Sequence, residues 1–136
     1  MKFGHYINEK QNFMLRTLLL IALGGGIGSM LRYLTAVVTN KYYASFFPLA
    51  TFLVNIIGCL LIGTVMGLLE KNQVTDSSLK WLLVTGFCGG FTTFSAFGYE
   101  NISLLQNQQT GLAFLYIAAS VIVGLFAVWL GLLIVK

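Results

Sequence analysis

The chain has 136 residues, of which 57% are hydrophobic and only 9% charged, with a formal net charge of +4. An ordinary soluble domain carries about 25% charged residues, so this composition excludes one, and the length leaves no room for a soluble domain beside membrane segments. One histidine, two cysteines and no Gly-rich phosphate loop with its Lys give no support to a metalloenzyme or nucleotide-binding class, and no nucleophile–base–acid set is readable.

In chain order, a polar leader over residues 1–14 precedes four apolar stretches. Each is close to the about 20 residues that a helix needs to cross a hydrocarbon core. The first runs from about Leu15 to Val38 and is too long for a cleavable signal peptide. The second runs from about Phe47 to Leu69, with Pro48 in its first turn, where a missing N–H costs little. The third, Trp81 to Tyr99, is the weakest because GFCGGFTTFSAF interrupts it near 86–93; the fourth is Leu112 to Val135. The expected fold is an all-α integral membrane protein of four transmembrane helices, one membrane domain over 1–136, with the third helix broken.

Four spans place both termini on one side. That side carries Lys2, Lys10, Arg16, Lys71, Lys80 and Lys136, and the opposite loops only Lys41. The positive-inside rule therefore predicts cytoplasmic termini, and the net charge reads as topology, with no nucleic-acid partner. His5 reads as solvated, and Cys59 and Cys88 as small packing residues. The sequon Asn101-Ile102-Ser103 is a three-residue pattern that arises by chance and carries no weight.

Polar groups at membrane depth are costly and need a reason. Arg32 is the one charged residue well inside a span, and it has two readings: snorkelling to the interface, or a fixed positive charge at the mouth of an anion path. No Asp or Glu lies deep in a span, Glu70 and Glu100 sitting at ends, and this favours anions over cations. Asn55 offers two N–H donors and one acceptor, which serve either to bond across helices or to replace water around an anion. The pairs Gly24/Gly28, Gly63/Gly67 and Gly86/Gly90 are spaced four apart, which lets helix backbones approach closely within or between subunits. Four helices rarely enclose a pore alone, so an oligomer is expected.

Within GFCGGFTTFSAF, Gly89-Gly90 and Thr92-Thr93 weaken the helix. Unwound backbone at membrane depth must be buried in protein or line a cavity, and freed carbonyls suit a hard cation. Phe94 and Phe97 stand three apart on one helical face. Such a stripe is commonly core packing, yet phenyl edges are positive and hold an anion weakly enough to release it. Thr93 and Ser95 add hydroxyls nearby.

GGGIGSMLRY at 24–33, TFLVNIIG at 51–58 and GFCGGFTTFSAF at 86–97 resemble, in order and spacing, the Fluc/CrcB family of fluoride channels over essentially the whole chain. The resemblance implies passive fluoride export that lowers cytoplasmic fluoride, and a cell-membrane dimer of two oppositely oriented subunits with two pores and a central structural sodium ion. It places pore roles on Asn55, Phe94 and Phe97, a vestibule role on Arg32, and fourth-helix pore roles on Tyr116 and Ser120. It also implies backbone-carbonyl sodium ligands at Gly89 and Thr92, and an acidic residue near the pore end at Glu100. The sequence departs from the family in Ala96, where TTFSTF is usual, and in Ala50-Thr51, where Gly-Thr is usual. The six-to-one charge bias marks one orientation, so a homodimer and a pair with an oppositely biased sister subunit both stay open. A small multidrug exporter would want a membrane-embedded glutamate, which is lacking. A non-conducting scaffold packed through its glycines would tolerate loss of Phe94, Phe97 and Asn55.

Overall fold

The structure is a computed structural model that describes the backbone of residues 2–43, 45–74 and 77–136, and the side chains of 10–43, 45–74 and 78–136. The side chains of Lys2 and His5 lie outside the described residues.

Helix α1 covers Lys2–Tyr42, so the polar leader is helical too. Its strong helix formers Glu9, Lys10, Gln11, Met14, Leu15 and Arg16, with no proline, let the helix run on into it. Helix α2 covers Leu49–Lys71, starting directly after Pro48. The third span has two parts. In α3 (77–91), an α-helical turn at Ser77–Leu79, a π-helical segment at Lys80–Cys88 and a second α-turn at Gly89–Phe91 follow one another directly. Helix α4 covers Phe94–Gln106 and α5 covers Thr110–Ile134. Four segments, 10–42, 49–71, 80–106 and 110–134, are long and apolar enough to cross a membrane.

Close turns return the chain between α2 and α3 and between α4 and α5. Gln73 and Gln108 adopt φ of 47° and 59°. Behind them the N–H of Val74 reaches the Leu69 carbonyl at 3.0 Å and that of Gln109 the Leu104 carbonyl at 2.9 Å. These bonds satisfy carbonyls that the helix ends leave without partners.

The glycines pack the helices into two parallel pairs within the chain. On α1, a Cβ at Gly24 would meet the Leu82 carbonyl and one at Gly28 the Phe87 carbonyl; on α3, a Cβ at Gly90 would meet the Gly25 carbonyl. The α2–α5 pair repeats this, with Gly63 against the Val128 carbonyl and Gly131 against the Leu60 carbonyl. Without a hydrophobic driving force between helices in lipid, such backbone contact maximises dispersion between them. The chain buries only 11% to 22% of the most apolar window of each span within itself. Most apolar side chains therefore need lipid or another protein surface.

Candidate functional site

The third span opens at Thr92 and Thr93, which are extended (φ −82°, ψ 159° and φ −150°, ψ 116°). Gly89 and Gly90 stay helical, because Gly90 is pressed against α1, so the helix opens at the β-branched pair. Side chains stabilise the opening from every side. Thr92 Oγ1 donates to the Cys88 carbonyl at 2.9 Å, and Thr93 Oγ1 caps α4 by accepting the Ala96 N–H at 3.2 Å. Ala96, without its hydroxyl, still contributes this amide.

Asn55 on α2 holds the opening most closely. Its Oδ1 accepts the Thr93 N–H at 2.8 Å and its Nδ2 donates to the Thr93 carbonyl at 3.1 Å. A continued helix would send the Thr93 N–H to the Gly89 carbonyl; Asn55 takes that donor and frees the Gly89 oxygen. The Thr93 amide can only donate, so it fixes which end of the Asn55 side chain is oxygen. One Asn55 N–H then remains beyond the pair.

A groove of about 390 Å³ opens beside this point, lined by Asn55, Gly89, Thr92, Thr93, Phe94, Phe97 and Ser120, with Cys59 and Cys88 also on its wall. The Phe94 and Phe97 rings are 5.7 Å apart. Phe94 is 84% exposed, so its ring projects from the helix bundle. Ser120 Oγ is buried with no hydrogen-bond partner, as is unusual for a buried hydroxyl. None of the described lining residues is a carboxylate.

A second cavity, about 440 Å³, has Arg32, Ser29, Tyr33, Thr51, Thr93 and Ser95 on its wall. Thr93 thus belongs to both. Arg32 Nη1 donates to the Thr92 carbonyl at 3.2 Å. Ser95 Oγ lies 3.3 Å from Thr93 Oγ1.

Tyr116 and Glu100 line neither cavity. Tyr116 is 0% exposed. Its hydroxyl donates to Glu100 Oε2 at 2.9 Å, while Thr51 Oγ1 donates to Glu100 Oε1 at 2.6 Å. One carboxylate thereby joins α2, α4 and α5. The Tyr116 ring meets Phe97 edge-on at 5.0 Å and Phe47 at 5.3 Å, so it backs the groove wall from inside. Thr51 and Ser29, whose hydroxyl reaches the Gly90 carbonyl at 3.4 Å, are site neighbours that residue type alone did not single out. Their signal was a hydroxyl within an apolar span, beside a motif already noted. Asn101 is buried, and donates to the Phe97 carbonyl at 2.7 Å while its Oδ1 lacks a partner.

Four apolar spans, the third opened around an amide clamp, define a multi-pass membrane protein. The profile of the CrcB-like protein family, described as Camphor Resistance (CrcB), matches residues 19–132. The chain is 58% identical over 122 residues to a protein of Flavobacterium psychrophilum named fluoride-specific ion channel FluC, covering 90% of this chain and 98% of that one. Proteins of the same name from Methylobacillus flagellatus and Azobacteroides pseudotrichonymphae are 48% and 43% identical, over 87% and 90% of this chain and 93% and 98% of theirs. The chain belongs to the CrcB-like family.

Proposed function

We propose that the chain is a subunit of a fluoride-selective passive channel that lets fluoride leave the cytoplasm across the plasma membrane and so lowers its toxicity. The observation that carries this reading is the Asn55–Thr93 pair. It orients the amide so that one N–H is left over beside a groove lined by Phe94, Phe97 and Ser120. Donors and positive ring edges without a carboxylate suit a small anion. The names of the relatives agree with fluoride as that anion.

The groove is open on one side and Phe94 projects from it, so a second subunit is needed to make a closed path. We take it to be oppositely oriented, a second copy or a paired paralogue, with two pores along the interface. The charge bias puts the termini of this chain in the cytoplasm. Arg32, Ser95 and Thr93 would form the approach to the path, and Phe94, Phe97, Asn55 and Ser120 its narrow part. Tyr116 and Glu100 would hold the wall in shape from behind.

The opened turn also fits a structural sodium ion. Gly89 offers a carbonyl released by the Asn55 clamp, and Thr92 one that Arg32 engages at 3.2 Å, leaving its second lone pair. Two neutral oxygens from each of two subunits suit a hard cation.

Protein reconstituted alone in liposomes loaded with potassium fluoride, with efflux recorded by a fluoride electrode after valinomycin, tests the proposal. Fast fluoride release without chloride release, lost in Phe94→Ile, is the expected result. No release from folded protein, with or without a sister subunit, would overturn it and leave a non-conducting scaffold.

A further inference from the structure

A third cavity lies at the opposite end of the α2–α5 pair from the Thr51–Glu100–Tyr116 contacts. It measures about 440 Å³ and lies between the last turns of the two helices, with Gly67, Leu132 and Trp129 on its apolar floor and Glu70, Lys71 and Lys136 at its rim. Gly67 makes the floor low, since a Cβ there would collide with the Val135 side chain. Lys71 Nζ lies 3.3 Å from the Lys136 backbone oxygen, which holds one ammonium over the gap between the helix ends. Trp129 is half exposed, and its ring stands 5.5 Å from the equally exposed Phe126.

The parallel packing of both helix pairs brings Arg16 and Lys80 to this same end. Among the described charged groups at this end, Lys10, Arg16, Lys71, Lys80 and Lys136 outnumber Glu70 and the Lys136 carboxyl group, whose oxygen Lys71 contacts. Even with the partial negative charge of two helix C-termini, this end is net positive. Trp129 precedes Lys136 by seven residues, about 10 Å along a helix axis. An indole at that distance sits at the boundary of headgroups and acyl chains when the ammonium is level with phosphates.

We infer that this cavity is a docking site for one anionic phospholipid. The phosphodiester sits between the Lys71 and Lys136 ammoniums, and one acyl chain lies along the floor over Gly67 and Leu132. A zwitterionic lipid brings its own ammonium against the two lysines and occupies the site less. Glu70 at the rim disfavours a free multivalent anion, whereas a single phosphodiester anchored by its chain needs only the two lysines. The site lies apart from the groove at the opened span and is independent of which ion the protein conducts.

The test uses the full chain carrying Trp81→Phe, which leaves Trp129 as the only tryptophan and removes an indole N–H that is buried without a partner. The protein is reconstituted in phosphatidylcholine vesicles containing a small, equal mole fraction of either chain-brominated phosphatidylglycerol or chain-brominated phosphatidylcholine, and Trp129 fluorescence is recorded. Quenching by the anionic lipid is expected to exceed that by the neutral one. The preference should fall about fivefold for each of Lys71→Gln and Lys136→Gln, as expected from the attraction of one lysine to an anionic lipid, and persist in Lys71→Arg. Equal quenching by the two lipids, or a preference that survives the double glutamine variant, would overturn the inference. Absence of quenching by either lipid would also overturn it, since a protein surface would then cover this face.

Discussion

Asn55 grips the backbone of Thr93 at both its N–H and its carbonyl, at 2.8 and 3.1 Å, and this one pair both opens the third span and orients the amide beside the groove. Asn55→Asp keeps the acceptor for the Thr93 N–H and replaces the donor with a second oxygen. The Thr93 carbonyl then faces a carboxylate, and a negative charge borders the anion path. Fluoride efflux from liposomes is expected to fall by at least about a hundredfold, the loss that follows when a donor is exchanged for an unpaired charge worth 3 kcal/mol or more. Asn55→Ala should reduce stability by about 1–3 kcal/mol through the buried groups it leaves unpaired. Full efflux in Asn55→Asp would contradict the role assigned to the amide.

Phe94 and Phe97 should separate function from stability. Phe97 packs edge-on against the buried Tyr116, whereas Phe94 is largely exposed in the subunit. Phe97→Ala is expected to destabilise the subunit by about 3 kcal/mol, and Phe94→Ala by under 1 kcal/mol, in unfolding monitored by circular dichroism in detergent. Both should abolish fluoride efflux.

Ser120 should behave the other way from a structural hydroxyl. Its Oγ is buried and unpartnered in the subunit, so Ser120→Ala removes a desolvated polar group and should be neutral or stabilising by up to about 1 kcal/mol. On the proposed reading that Ser120 borders the anion path, efflux in the same variant should drop. Destabilisation with unchanged efflux would show that Ser120 bonds within the protein.

Glu100 accepts from Thr51 and Tyr116 at once. Tyr116→Phe leaves one carboxylate oxygen without its donor, and Glu100→Gln turns one of two acceptors into a donor facing a hydroxyl. Each should reduce stability by about 1–3 kcal/mol. The double variant should fall short of the sum by about 1 kcal/mol, the sign of a shared network. Additive losses in a double-mutant cycle would mean that the two side chains act separately.

The glycines predict a contrast along one helix. Gly28→Ala on α1 drives a methyl into the Phe87 carbonyl, a backbone atom that cannot give way without moving the helix, and should destabilise by about 1–3 kcal/mol. Gly26→Ala meets nothing within 4 Å and should stabilise by about 0.5–1 kcal/mol through helix propensity. Thermal unfolding of the two variants side by side checks both.

Much was set by composition and pattern alone, because lipid imposes simple demands. A chain this apolar must satisfy its backbone internally, so four helices follow from four long apolar runs. An interrupted third run with paired threonines announces an opened turn at membrane depth. The spacing of Gly24, Gly28, Gly86 and Gly90 announced close helix contact, but packing in three dimensions was needed to assign it to helices of the same subunit. Residue type likewise left Asn55 divided between helix bonding and anion binding; the structure shows the first, a bond to the Thr93 backbone, and leaves one amide N–H outside that pair. Arg32 turned out to engage the Thr92 carbonyl because α1 and α3 run parallel and bring residues 60 apart to the same depth. The burial of Tyr116 behind the groove, on a carboxylate shared with Thr51, depended on α2, α4 and α5 converging. No local pattern encodes such a convergence, because the partners of a side chain are chosen by how whole helices pack, and sequence distance carries no measure of that.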